Sequence, residues 1–304
     1  MAPIGVQSAY HEDGELGTAR ACADLGVPFS ISTAASTTIE AVRGAVGEDA
    51  PLWFQLYWPV SDDITASLLG RAKAAGCKVL VVTLDTFTIA YRPRDLDNAF
   101  LPFVTGQGND IGFSDPVARR LFAQATDGET PESQPLLASR WWMGQAASGH
   151  ARPWEDLAIL KRLWKGPIVL KGIQHPEDAR LALRHGADGI VVSNHGGRQV
   201  DGAVASLDML PEIVEAVGDQ LTVLFDSGVR TAADAIKALS LGAKAVMIGR
   251  PVIFGLGIAG QKGARHVVAG LLADLDQTMG LAGVQNIQGL NRGTLRSAEG
   301  TAKL

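Results

Sequence analysis

Cysteine is scarce: the 304 residues include only Cys22 and Cys77, with neither CxxC spacing nor a histidine cluster beside them. This excludes a disulfide framework and a structural zinc site, and makes a reducing compartment the expectation. No run reaches the ~18 apolar residues of a membrane span. The opening MAPIGVQSAYHEDG has neither the basic nor the apolar region of a secretory leader. A formal charge of −5 with no block of lysine or arginine argues against nucleic acid as a partner. The expectation is a soluble cytoplasmic protein with no membrane and no nucleic-acid partner.

Glycine, by contrast, is plentiful at 35 residues and follows no triplet period, so it punctuates turns rather than building a fibre. One pattern recurs: an amphipathic stretch, then glycine with a small or polar residue, then a β-branched run. It appears in LGVPFSIS (25–32), AGCKVLVVTLD (75–85), HGADGIVVSN (185–194) and LGAKAVMIG (241–249), with weaker copies at 50–57, 166–172 and 220–226. Each run is short and apolar on both parities, as a strand buried on both faces of a parallel sheet reads. The glycine suits a helix C-cap leading into the strand. Helices are predicted over 14–25, 38–46, 62–75, 154–164, 176–185, 207–217, 231–241 and 262–279. Counting APIGV (2–6) as the first strand gives eight β-α units, a (β/α)8 TIM barrel, with a doubly wound sheet as the alternative.

One connection departs from the repeat. Between Leu84, ending the fourth strand of this count, and Gly166 lies a stretch far longer than its counterparts, with one clear helix and the aromatics Phe100, Phe103, Phe113, Trp141 and Trp142. A lid or a subunit contact over 86–152 is expected there.

Barrel chemistry sits at the C-terminal ends of the strands. Those ends carry Ser32 and Thr33, Gln55 and Tyr57, Thr83 and Asp85, Lys171, Ser193 with His195 and Arg198, Asp226 with Arg230, and Gly249 with Arg250. FDSGVRTAADA and MIGRPVIFG each place a small-residue turn and an arginine before a helix, which suits a phosphate. In SNHGGRQVDG, two glycines after His195 let the backbone turn and leave the imidazole at the barrel mouth, while Arg198 offers a fork for a carboxylate. Asp85 could orient the other ring nitrogen of a histidine acting as general base. His11, His150, His175, His185 and His266 lack such company, and His175 before Pro176 reads as a helix entry. Lys171 needs an anionic partner if buried; a Schiff base and donation to an electron-rich cofactor ring both remain open. GLGIAG (255–260) satisfies GxGxxG without a preceding strand, so no dinucleotide fingerprint is expected from it.

PIVLKGIQHPEDA, GIVVSNHGGRQVDG, LFDSGVRTAADAIKALSLGAKAVMIGRP and WFQLYWP resemble the FMN-dependent 2-hydroxy acid oxidases and dehydrogenases over nearly the whole chain. WFQLYWP and VVTLDTFTIAYRPRDL are most similar to the lactate 2-monooxygenase branch. The resemblance implies an FMN site in which Ile4 and Gly5 lie along the flavin, and Ser32, Gln55 and Thr83 bond its ring. Lys171 faces the N1/O2 edge, with Ser193 also in contact. Asp226, Gly228, Arg230, Gly249 and Arg250 hold the ribityl and phosphate groups. It further implies that Arg92 and Arg198 clamp the substrate carboxylate, that Tyr57 bonds the substrate, and that His195, supported by Asp85, takes its proton. Ala34 stands where some relatives carry a large aromatic, leaving room for a substrate side chain. The implied substrates are a small 2-hydroxy acid and oxygen, and the implied assembly is a homo-oligomer, tetramer or octamer. Family members carry a segment with a substrate-site tyrosine before the first strand. This chain opens at MAPIG, so an N-terminally shortened barrel is expected, with an impaired, non-catalytic subunit as the alternative outcome.

Overall fold

The computed structural model describes residues 1–296. Its strands are β1 (Phe29–Ser32), β2 (Leu52–Leu56), β3 (Val79–Thr83), β4 (Ile168–Ile173), β5 (Gly189–Val192), β6 (Thr222–Phe225) and β7 (Ala245–Val246). All pair in parallel with their sequence neighbours, in the order β1 to β7. A doubly wound sheet reverses its order at a switch point. This sheet never does and curls as a (β/α)8 barrel does.

The eighth position is filled differently from the expectation. Residues 2–6 form no regular strand; Ala2 N–H donates to Ile248 O (2.8 Å) and Val6 N–H to Ala34 O (2.8 Å). The segment thus spans the gap between the ends of β7 and β1 with isolated bonds. Gly5 lies so close to Ala34 that a Cβ there would stand 2.4 Å from its carbonyl oxygen.

The outer layer comprises α1 (Gly14–Ala23), α2 (Ile39–Val46), α3 (Asp62–Ala74), α4 (Pro93–Asp97), α5 (Asp110–Phe113), α6 (Pro116–Ala125), α7 (Pro135–Ala146), α8 (Leu157–Trp164), α9 (Pro176–Arg184), α10 (Ser206–Val217), α11 (Ala232–Ser240) and α12 (Arg250–Leu281). Local chemistry sets their starts: the Thr38 and Ser61 hydroxyls accept from Ala41 and Ile64 N–H, and Thr231 with Asp234 forms a capping box. His175 caps α9, its ring accepting from Glu177 N–H. The repeat glycines Gly26, Gly76, Gly186 and Gly242 all have positive φ, as turns closing a helix before a strand require.

Two expectations need correction. The insertion is not a loop with one helix but holds α4 to α7, with Phe122 edge-on to Trp141 at 5.7 Å within it. The last helix begins at Arg250 rather than at 262 and bends at Ala259 and Gly260, so GLGIAG (255–260) lies in its first part and at that bend. Among the described residues, no helix is long and apolar enough to cross a membrane.

The main core lies between the strands and the helices. A second, smaller cluster fills the barrel: Ala2, Val169, Val191, Leu224 and Met247 are buried together, with Trp53 and Val79 against them. Strand side chains alternate with period two. Two residues on from this apolar layer come Gln55, Lys171, Ser193, Asp226 and Gly249, one pleat nearer the C-terminal mouth.

Candidate active site

Register aligns this polar layer: Ser32 pairs with Gln55, and Thr83 with Lys171. The Ser32 hydroxyl donates to Gln55 Oε1 (3.0 Å), while the buried Gln55 Nε2 has no protein acceptor. Lys171, 4% exposed, lies 3.2 Å from Asp226 Oδ2 and donates to Ser193 Oγ (3.0 Å). Burial alone would depress the Lys171 ammonium, but the carboxylates of Asp226 and Asp85 outweigh it and hold the pKa above its ordinary value. Lys171 is therefore a fixed cation. That pairing removes the neutral amine a Schiff base needs.

β4 carries a second device. Its register shifts between Lys171 and Ile173, and Gly172 adopts φ +105. A Cβ there would meet Asp85 Cγ at 2.7 Å, so the bare glycine lets Asp85 come down onto the strand end. Asp85 Oδ1 then lies 2.8 Å from His195 Nδ1, and the Thr86 hydroxyl lies 3.0 Å from the same nitrogen while donating to Asp85 Oδ1 (3.1 Å). With Nδ1 carrying the proton toward the carboxylate, Nε2 is left with the lone pair. Burial opposes the charge on Asp85, yet the His195 hydrogen bond and the Lys171 field keep its pKa below the usual range. Burial also lowers the His195 pKa; the Asp85 bond resists, and Lys171 pushes the same way as burial. The pair is thus an ionised aspartate with a neutral imidazole near neutral pH. His195 reaches this place because it and the two glycines after it have φ of 58, 69 and 72.

A cavity of about 870 Å³ opens above these groups. Tyr57, Arg92, Lys171, His195 and Arg198 line it, together with Ile4, Gly5, Asp226, Gly228, Arg230, Gly249 and Arg250. Of the remaining predicted positions, Ser32, Gln55, Thr83 and Ser193 are buried in the layer beneath its lining, and Asp85 stands behind His195. Burial pushes the Tyr57 hydroxyl's pKa up, so it stays protonated and able to donate. Arg92 and Arg198 approach the same oxygen, Asp95 Oδ2, at 3.8 and 3.9 Å. The insertion contributes Phe100, Phe103 and Trp142 to the cavity wall, while Trp141 packs inside the insertion itself.

Several positions escaped sequence reasoning. Besides Thr86 and Asp95, Gln199 accepts from Arg92 Nη2 and donates to the carbonyls of Asp85 (2.9 Å) and Thr88 (3.2 Å). Ser227 bonds the backbone on both sides of His195. Thr86, Gln199 and Ser227 lie within the strand-end motifs LDT, GGRQ and FDSG, and Asp95 lies in YRPRDL beside Arg92; that neighbourhood was their only signal.

The site also fits a flavin mononucleotide on its own terms. It offers an unpaired buried donor at Gln55 Nε2, a buried cation at Lys171, and Arg250 opening the long helix α12 with Arg230 nearby on the cavity. Fold and site together define a barrel oxidoreductase that holds a phosphorylated cofactor at the mouth of its strands. The family model "FMN-dependent dehydrogenase" matches residues 1–297. An FMN-dependent alpha-hydroxy acid dehydrogenase of Penicillium citrinum is 53% identical over 296 residues, covering 97% of this chain and 73% of that protein. An L-lactate oxidase of Lysinibacillus sphaericus is 42% identical, covering 99% and 75% respectively. A crystal structure of mandelate oxidase superposes with TM-score 0.79 at 37% identity, over 96% of this chain and 76% of that one. The chain belongs to the FMN-dependent dehydrogenase family and is an FMN-dependent α-hydroxy acid oxidoreductase. It spans about three quarters of the length of these relatives.

Proposed function

We propose that the protein oxidises a small, lactate-like L-2-hydroxy acid and passes the electrons to oxygen. The observation that carries this reading is the meeting, in one cavity, of the His195–Asp85 pair, two arginines and the Lys171 cation. Arg92 and Arg198 bind the substrate carboxylate, displacing the loose contacts of Asp95. Tyr57 donates to the substrate, and neutral His195 takes the proton of the 2-hydroxyl at Nε2 while Asp85 stabilises the imidazolium that forms. FMN, when bound, supplies the two-electron acceptor. Ile4, Gly5, Ser32, Gln55, Thr83, Lys171 and Ser193 hold its ring, and Asp226, Gly228, Arg230, Gly249 and Arg250 its ribityl and phosphate groups. Similarity to an L-lactate oxidase supports a small side chain, and Ala34 leaves space for it on the cavity wall.

We read the whole chain, 1–304, as one barrel domain with 86–152 as a lid. Phe100, Phe103 and Trp142 on the cavity wall support that role. A closed lid favours retention of the keto acid with peroxide, and so a lactate 2-monooxygenase outcome: lactate and O2 give acetate, CO2 and water. The protein is further read as a cytoplasmic homo-oligomer, a tetramer or octamer.

The test is anaerobic. Purified protein should be yellow and should bleach on adding L-lactate, and under air the product should be acetate. Pyruvate with stoichiometric peroxide would leave an oxidase and remove the monooxygenase. Yellow protein inert to every small 2-hydroxy acid would overturn the proposed substrate class.

A further inference from the structure

His195 is held by more than Asp85. Two turns face one another at the barrel mouth, and each uses left-handed backbone: His195 and Gly196 (φ 58 and 69) on one, Ser227 and Gly228 (φ 80 and 86) on the other. At Gly228 this conformation is free, whereas a residue with a Cβ is strained there. The serine hydroxyl gives that strain a use. Ser227 Oγ accepts from Gly196 N–H (2.9 Å) and Asn194 N–H (3.3 Å), and donates to Asp226 Oδ1 (2.9 Å). The amide between those two, His195 N–H, donates to Ser193 Oγ (3.1 Å), which also receives Lys171 Nζ. Three consecutive amides are therefore gripped by two serine hydroxyls, and each hydroxyl is bonded to one half of the Lys171–Asp226 ion pair.

We propose that Ser227 is a positioning residue that fixes the backbone of His195 to the buried Lys171–Asp226 pair, so that the base and the cofactor-facing cation move as one body. The proposal rests on the reading of His195 as the base. The hydroxyl and the strain separate cleanly in two variants: Ser227→Ala removes the hydroxyl and keeps the strain, while Ser227→Gly removes both.

Both variants, loaded with saturating FMN, should lose about tenfold or more in the rate of flavin bleaching by the hydroxy acid, a loss of roughly one hydrogen bond's worth of positioning. Their thermal unfolding should differ, with Ser227→Gly unfolding at the higher temperature. Activity and stability would then fail to track one another, which a merely structural role does not allow. Amide hydrogen exchange should accelerate in both variants across 194–196 and stay at the wild-type rate in β6. Wild-type exchange at 194–196, a bleaching rate preserved in Ser227→Gly, or rates that simply follow stability would each overturn the proposal. If wild-type protein is not bleached by any 2-hydroxy acid, the functional reading falls instead; the exchange comparison still decides whether Ser227 holds the turn.

Discussion

Replacing Asp85 with asparagine changes one oxygen for one NH2 and leaves the space almost unaltered, so it isolates the charge behind His195. In the native pair a carboxylate 2.8 Å from Nδ1 stabilises the imidazolium that forms when the base accepts its proton. A hydrogen bond to a charged group is worth about 1.5–3 kcal/mol, and each ~1.4 kcal/mol is tenfold in rate, so Asp85→Asn should slow flavin bleaching by about 10- to 150-fold at its plateau. The pH dependence has a definite sign. Burial and Lys171 lower the His195 pKa below 6.5, while Asp85 raises it. Activity requires the neutral ring, so the native rate should climb with pH through a midpoint below 6.5 and then stay flat. Without Asp85 the opposing influence is gone, and the midpoint should move to still lower pH as the plateau falls. The assay is anaerobic stopped-flow bleaching with saturating hydroxy acid across about pH 5 to 8. A fall of less than about threefold, under roughly 0.7 kcal/mol, or a midpoint displaced to higher pH would refute the base assignment.

Other perturbations probe the supports. Gly172→Ala places a Cβ 2.7 Å from Asp85 Cγ in a backbone of φ +105. It should lower activity by about tenfold or more through displacement of Asp85 and destabilise the fold by roughly 1–3 kcal/mol; native-like bleaching would show that Asp85 need not sit on β4. Lys171→Met leaves the 6%-exposed Asp226 without its cation. Urea unfolding of the flavin-free protein should register a loss of about 3–5 kcal/mol, whereas an unchanged midpoint would mean that the pair contributes nothing to stability. Arg92→Met should reduce kcat/KM by about 10- to 150-fold, chiefly through KM, because a charged hydrogen-bond partner of the substrate carboxylate is lost. A kcat effect at unchanged KM would place Arg92 elsewhere in the mechanism.

What could be read in advance follows from which forces act locally. Strands such as VLVVT and GIVV are apolar on both parities, and the repeat glycine marks each turn, so seven strands and the eight predicted helices stand within a few residues of expectation except the start of α12. The segment APIGV reads as a strand but makes only isolated backbone bonds, because whether a ladder forms depends on two flanking strands that the segment itself does not encode. The insertion helices α4, α6 and α7 each begin at proline, Pro93, Pro116 and Pro135, a start signal that was present and outweighed by the surrounding turn residues. At the site, strand-end motifs nominate residues that the structure does bring together. Asp85 and His195 are as far apart as the pairs their supports make, but they are an ionisable acid and base that nominate one another. The supports Gln199, meeting Asp85 across 114 positions, and Thr86, meeting His195 across 109, are neutral residues whose type points to no partner.

Period-two alternation explains why the chemistry sits where it does. The inward positions of β4 and β6 first present Val169 and Leu224 to a dry cluster, then, two residues on, Lys171 and Asp226. Ser193 enters the same level from β5, following Val191. A lysine and an aspartate placed one pleat lower would lie among those apolar side chains, where isolated charges are expensive to desolvate. One residue along, in either direction, they would point into the helix layer. At their actual level the two charges pair, Ser193 Oγ accepts a hydrogen bond from Lys171 Nζ, and both Lys171 and Asp226 still line the cavity above. The position of the His195 base then follows from the same layer, since the hydroxyls that grip its backbone are bonded to that ion pair. The barrel's apolar plug therefore fixes the depth of the charge, and the charge fixes the place of the base.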